Sequence, residues 1–110
     1  MTQFFKHQSL ASGRWFELSL AEQLGNIGSE VSRAIKARGD RKRFENAVVR
    51  ALELFDLTLC DIRWRTRLKE ITRAREVFCD TALGNCEYGT SLEDLDKYFY
   101  YFALAARLKK

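Results

Sequence analysis

The 110-residue sequence contains no proline and a single histidine, His7. Proline is the strongest helix breaker and a common turn residue, so its absence disfavours an all-β chain and favours long helices. The three cysteines, Cys60, Cys79 and Cys86, form no C-x-x-C pair and lie far from His7 in sequence. That spacing excludes the usual zinc motifs and a disulfide framework and predicts reduced thiols in a cytoplasmic protein, with a Cys79–Cys86 redox pair as the alternative. Nowhere is there an uncharged run of about eighteen apolar residues, and the opening MTQFFKHQSLASGRW lacks the apolar stretch of a signal peptide. Neither secretion nor a membrane association is expected. A Ser-His-acid set, a Gly-rich phosphate loop and a metal motif are also missing, so no enzyme activity and no cofactor are predicted.

What is present suits one soluble domain. A chain of this length buries roughly 60 to 70% of its unfolded surface, enough to fold without staples. Nineteen Lys and Arg against fifteen Asp and Glu give a net charge of +4. Such an excess permits attraction to phosphate polymers, although it also serves plain solubility.

Residues 1–18 read as an N-terminal arm in which Phe4, Phe5, Trp15, Phe16 and Leu18 can pack over a bundle formed by residues 19–110. Ser19 followed by Glu22 is a capping-box pair, after which Leu20, Leu24, Ile27, Val31 and Ile35 make one apolar stripe that runs until Gly39. Gly25 and Gly28 each cost a helix about 1 kcal/mol relative to alanine, which points either to close approach of another element or to a tolerated defect. Phe44, Val48, Ala51, Phe55 and Leu59, widened by Leu52 and Leu54, give a second helix a broad face suited to neighbours on two sides.

A third helix is predicted to start at an Asp61 cap and to carry Trp64, Leu68, Ile71, Phe78 and Ala82 inward until GNCEYGTS breaks the pattern. It is dense in positive charge. At 100° per residue, Arg65, Lys69 and Arg73 form an outward basic ridge, which Arg14, Arg41, Lys42 and Arg43 could extend, with RNA or DNA phosphates as the expected ligand. The bland reading is a solvated face balanced by Glu70 and Glu76. Arg75 falls within the apolar stripe instead. It must snorkel or meet a carboxylate, and a buried ion pair with Glu30 is predicted, with Glu45 and Asp56 as other candidates.

The last helix opens at Thr90 with Glu93 or Ser91 with Asp94, and turns Leu92, Leu95, Phe99, Phe102 and Ala106 inward. Tyr100, Tyr101, Leu104 and Leu108 form a second apolar face, expected to be an oligomer interface unless the aromatic arm covers it. Four amphipathic helices with short connections predict an all-α four-helix bundle.

The stretches SLASGRW, EQLGNIGSEVSRA, TRAREVFCD and TSLEDLDKYFYYFALAAR resemble a family of short, uncharacterised bacterial all-helical proteins over nearly the whole length. In size, charge and helix count the chain is also similar, more distantly, to the four-helix-bundle accessory variability determinants of diversity-generating retroelements. That architectural likeness implies a ring-like homo-oligomer whose partners are RNA and a reverse transcriptase. The leading expectation is therefore a non-enzymatic oligomeric accessory protein presenting basic surfaces to RNA or to a nucleic-acid enzyme such as a reverse transcriptase. An oligomeric scaffold or adaptor without a nucleic-acid role is the alternative, and an enzyme built around Arg75 and Glu30 is the third.

Overall fold

A computed structural model describes residues 13–84 and 87–108. Within them the chain forms four α-helices and no strand: α1, Leu20–Lys36; α2, Arg41–Leu59; α3, Leu68–Ala82; and α4, Leu92–Leu108. Short 3-10 helices, Arg14–Glu17 and Ile62–Arg67, precede α1 and α3. Each α-helix turns back after a short connection, so α1 and α3 run one way and α2 and α4 the other. Most packing is between α1 and α4 and between α1 and α2, while α3 rests on α2 and α4. The result is the expected helical bundle, with α1 and α3 on opposite corners.

Local chemistry explains the helix starts. The Ser19 hydroxyl accepts from the Glu22 amide (3.1 Å) and the Ser19 amide donates to Glu22 Oε1 (2.9 Å), a reciprocal capping box. Asp40 caps α2 by accepting from the Arg43 amide (3.2 Å). At α4 the reciprocal pair is Ser91 with Asp94, at 3.0 and 3.1 Å. Helix α1 ends at Lys36, earlier than Gly39: past it the Arg38 and Asp40 amides close onto the carbonyls three residues back, Ile35 (3.4 Å) and Ala37 (2.8 Å), rather than four. Gly84, at φ 82°, supplies the left-handed residue just beyond α3.

The core is aromatic at its centre. Phe55 of α2 meets Phe78 of α3 and Phe99 of α4 at ring-centroid separations of 5.9 and 5.8 Å, and all three are fully buried. On the α1–α4 side the packing is closer and uses glycine. A methyl group added to Gly28 would lie 2.5 Å from the Phe99 Cβ, and one on Gly25 would lie 3.0 Å from the Ala103 Cα. Both glycines thus serve a close helix approach, the first of the two alternatives their sequence position raised.

Trp15 belongs to this core although its 3-10 helix lies outside the four α-helices. It is 1% exposed, and its indole N–H donates to the Thr58 hydroxyl (3.1 Å). Gln23, fully buried on α1, donates to the Trp15 carbonyl (2.9 Å) and to Asp61 Oδ2 (3.1 Å), while its own carbonyl accepts from the Trp64 indole (2.9 Å). A satisfied polar network therefore ties the segment before α1 to the α2–α3 corner. Phe4 and Phe5 lie outside the described residues, as do His7 and Cys86.

Candidate nucleic-acid interface

The cation-rich stretch 63–78 is not one helix. Asp61 caps a 3-10 segment: its carboxylate accepts from the Arg63 amide (3.1 Å), and the Trp64 amide closes onto the Asp61 carbonyl (3.1 Å). Trp64 then leaves helical geometry (φ −103°, ψ 25°) before α3 begins at Leu68. A 3-10 helix advances about 120° per residue rather than 100°, so the phase carried from Trp64 to Leu68 is lost. Leu68 is consequently 38% exposed rather than inward-facing, and Ala74 joins Ile71 and Phe78 on the buried side of α3.

The six cations of residues 63–75 divide into two sets. Arg63 is held by Asp61 (2.7 Å), by the Leu18 carbonyl (2.7 Å) and against the Trp64 ring (4.4 Å). Its guanidinium keeps the Asp61 carboxyl below the usual carboxylate range. Arg67 pairs with Glu70 (2.7 Å), which also accepts from the Tyr98 hydroxyl (3.1 Å). Burial, helped by the Glu70 charge, pushes the Tyr98 phenol up to about 12. Arg75 pairs with Asp56 of α2 (3.0 Å). By contrast Arg65, Lys69 and Arg73 are all exposed and form no salt bridge among the described residues; Arg73 lies over the Tyr88 ring at 4.8 Å.

The expected Arg75–Glu30 pair does not form. Glu30 sits on α1, diagonally across the bundle from α3, and its Oε2 is bound by Arg33 one turn further along (2.7 Å). Nor is the Arg75 pair buried: the Arg75 and Asp56 side chains retain 32% and 49% exposure, where an ion pair contributes little. The third expectation, an enzyme centred on these two residues, loses its constellation. Among the described residues no cluster of three His, Cys, Asp or Glu side chains forms a metal site either.

Topology also divides the positions proposed to extend the ridge. Arg14 and Arg65 lie at the end of the bundle where α1 starts and α2 finishes, whereas Arg41, Lys42 and Arg43 begin α2 at the other end. Helix α2 alone is about 28 Å long at 1.5 Å per residue, so the seven cations are not one continuous surface. Arg41 is moreover paired with Glu45 (3.3 Å).

One basic grouping went unrecognised in the sequence. Arg33 and Lys36 of α1 face Arg43, Asn46, Ala47 and Arg50 of α2 across a cleft of about 390 Å³. Counting the antiparallel register outward from the short 37–40 connection would have found it.

On α4 the two apolar faces separate as the pattern implied. Leu92, Leu95 and Phe99 are buried and Phe102 is packed against the core, whereas Tyr100, Tyr101 and Leu108 are 54%, 70% and 77% exposed and Leu104 is half-buried. Among the described residues no helix is long and apolar enough to cross a membrane. Comparison with protein-family models, with curated proteins and with solved structures returned no match.

Proposed function

We propose that the protein is a non-enzymatic, oligomeric accessory protein that presents a basic surface to RNA, or to an enzyme that works on RNA such as a reverse transcriptase. The observation that carries this reading is the sorting of cations along residues 63–75. Half are tied into carboxylate pairs, whereas Lys69 and Arg73 on α3, and Arg65 in the 3-10 segment that leads into it, stand exposed and carboxylate-free. A cation without a counter-charge keeps its full attraction for phosphate, and releasing condensed counterions from a nucleic acid provides the driving force. Tyr88, beneath Arg73, adds a ring beside the cations on which a base can stack. Labelled single-stranded RNA should bind at low salt and be released when Arg65→Gln, Lys69→Gln and Arg73→Gln are combined. Retention of full affinity by that variant would overturn the reading.

The exposed Tyr100, Tyr101 and Leu108 side chains support the second element, self-association through α4, and would equally serve a scaffold or adaptor with no nucleic-acid role. Sedimentation at increasing concentration is expected to give a species larger than the monomer, reverting to monomer in Tyr101→Glu/Leu104→Glu. A wild-type protein that stays monomeric throughout would remove the interface from both readings.

A further inference from the structure

The cleft between α1 and α2 is a concentration of positive charge with two walls. Arg33 and Lys36 project from the last turns of α1, while Arg43 and Arg50 project from α2 with Asn46 and Ala47 between them. Its volume, about 390 Å³, falls in the lower part of the range of small-ligand pockets, roughly 300 to 1,000 Å³. From Arg43 to Arg50 the cleft runs seven residues, about 10 Å along the helix axis.

The charge balance is lopsided. Arg33 is engaged by Glu30, a carboxylate buried beneath the surface, and Asp40 is committed to the cap of α2 through the Arg43 amide. Lys36, Arg43 and Arg50 form no salt bridge among the described residues.

The position of these cations has a cost that stability does not explain. Lysine and arginine at the C-terminal end of α1 complement the helix dipole, but those in the first turn of α2 oppose it. That first turn holds Arg41, Lys42 and Arg43 and no acidic residue. Arg41 recovers part of the cost through Glu45, whereas Arg43, which lines the cleft, has no salt bridge among the described residues. A concave site lined by one sign of charge focuses the field and raises the local concentration of counter-ions far more than a convex ridge does. Arginines on facing walls, each able to donate two parallel hydrogen bonds to phosphate oxygens, suit a compact ligand gripped from both sides.

We propose that the α1–α2 cleft is a binding site for a compact phosphate chain, held by Arg43 and Arg50 on one wall and Arg33 and Lys36 on the other. It is distinct from the α3 ridge, and it would hold its ligand whether or not the ridge binds RNA. The same chemistry could come from a free or terminal polyphosphate or from successive phosphates of a nucleic-acid backbone.

Calorimetric titration of the full chain with inorganic tripolyphosphate at low salt tests the site. Saturable binding is expected, weakened about tenfold or more in Arg43→Gln/Arg50→Gln and changed less than about twofold in Arg65→Gln/Lys69→Gln, since the second pair lies outside the cleft. Both pairs are at the surface, and an unchanged melting curve confirms that folding is intact. A single-stranded RNA with a 5′-hydroxyl then identifies the source: displacement of tripolyphosphate assigns the cleft to a backbone, and failure to displace assigns it to a free or terminal chain. Absence of tripolyphosphate binding, or equal weakening by the two double variants, would overturn the proposal.

Discussion

Replacing Trp15 with alanine is expected to remove about 3–5 kcal/mol of folding stability, the usual cost of deleting a large buried aromatic. The residue is 1% exposed, and its indole anchors the fully buried Thr58 hydroxyl. A domain of this size has about 5–15 kcal/mol in all, so the substitution should consume a large share of the total. Trp15→Phe separates the two contributions. It keeps most of the apolar volume and loses the hydrogen bond, so about 1–2 kcal/mol is expected. Urea unfolding followed by circular dichroism measures both. A loss below about 1 kcal/mol for Trp15→Ala would mean that the segment before α1 is not held on the bundle as described.

The second large effect is at the α1–α4 contact. Gly28→Ala brings two Cβ atoms to 2.5 Å, and no rotamer change can separate atoms fixed to the two backbones. The helices must part, and an overpacking cost of about 1–3 kcal/mol outweighs the roughly 1 kcal/mol that alanine gains in helix propensity. A net loss near the top of that difference would lower Tm by about 10 °C. Gly25→Ala meets its neighbour at 3.0 Å, where a shift of a few tenths of an ångström suffices. There the propensity gain offsets the strain, and Tm should change little. A Gly28→Ala protein melting at or above the wild-type temperature would contradict the packing.

These two residues also mark the limits of sequence reading. The stripes of α1, α2 and α4 were legible because period and caps agree: Leu24, Ile27 and Val31, then Ala51 and Phe55, then Leu95 and Phe99 are all buried. Trp15 reads from sequence only as part of an arm, because one aromatic in a single 3-10 turn has no period to detect. Gly25 and Gly28 signalled a close approach or a defect, and only the α4 side chains opposite them decide between the two. Along α3, a 3-10 entry changed the angular step and moved Leu68 outward. Arg75 found Asp56 rather than Glu30 because the choice among carboxylates depends on which helices are neighbours, a long-range property. Within residues 63–75, the cations set apart by periodicity, Arg65, Lys69 and Arg73, are those without carboxylates in the structure, but Arg41, Lys42 and Arg43 fall at the far end of the bundle.

The most direct measurement of the proposed function is the salt dependence of binding to labelled single-stranded RNA, taken from about 50 to 200 mM monovalent salt. Each phosphate neutralised on a single strand contributes about 0.7 to the slope of log affinity against log salt. Neutralising Arg65, Lys69 and Arg73 together should therefore reduce the magnitude of that slope by about 2 while leaving the melting temperature unchanged. No binding at the lowest salt, or a slope identical in wild type and triple variant, would contradict an RNA-binding role for Arg65, Lys69 and Arg73.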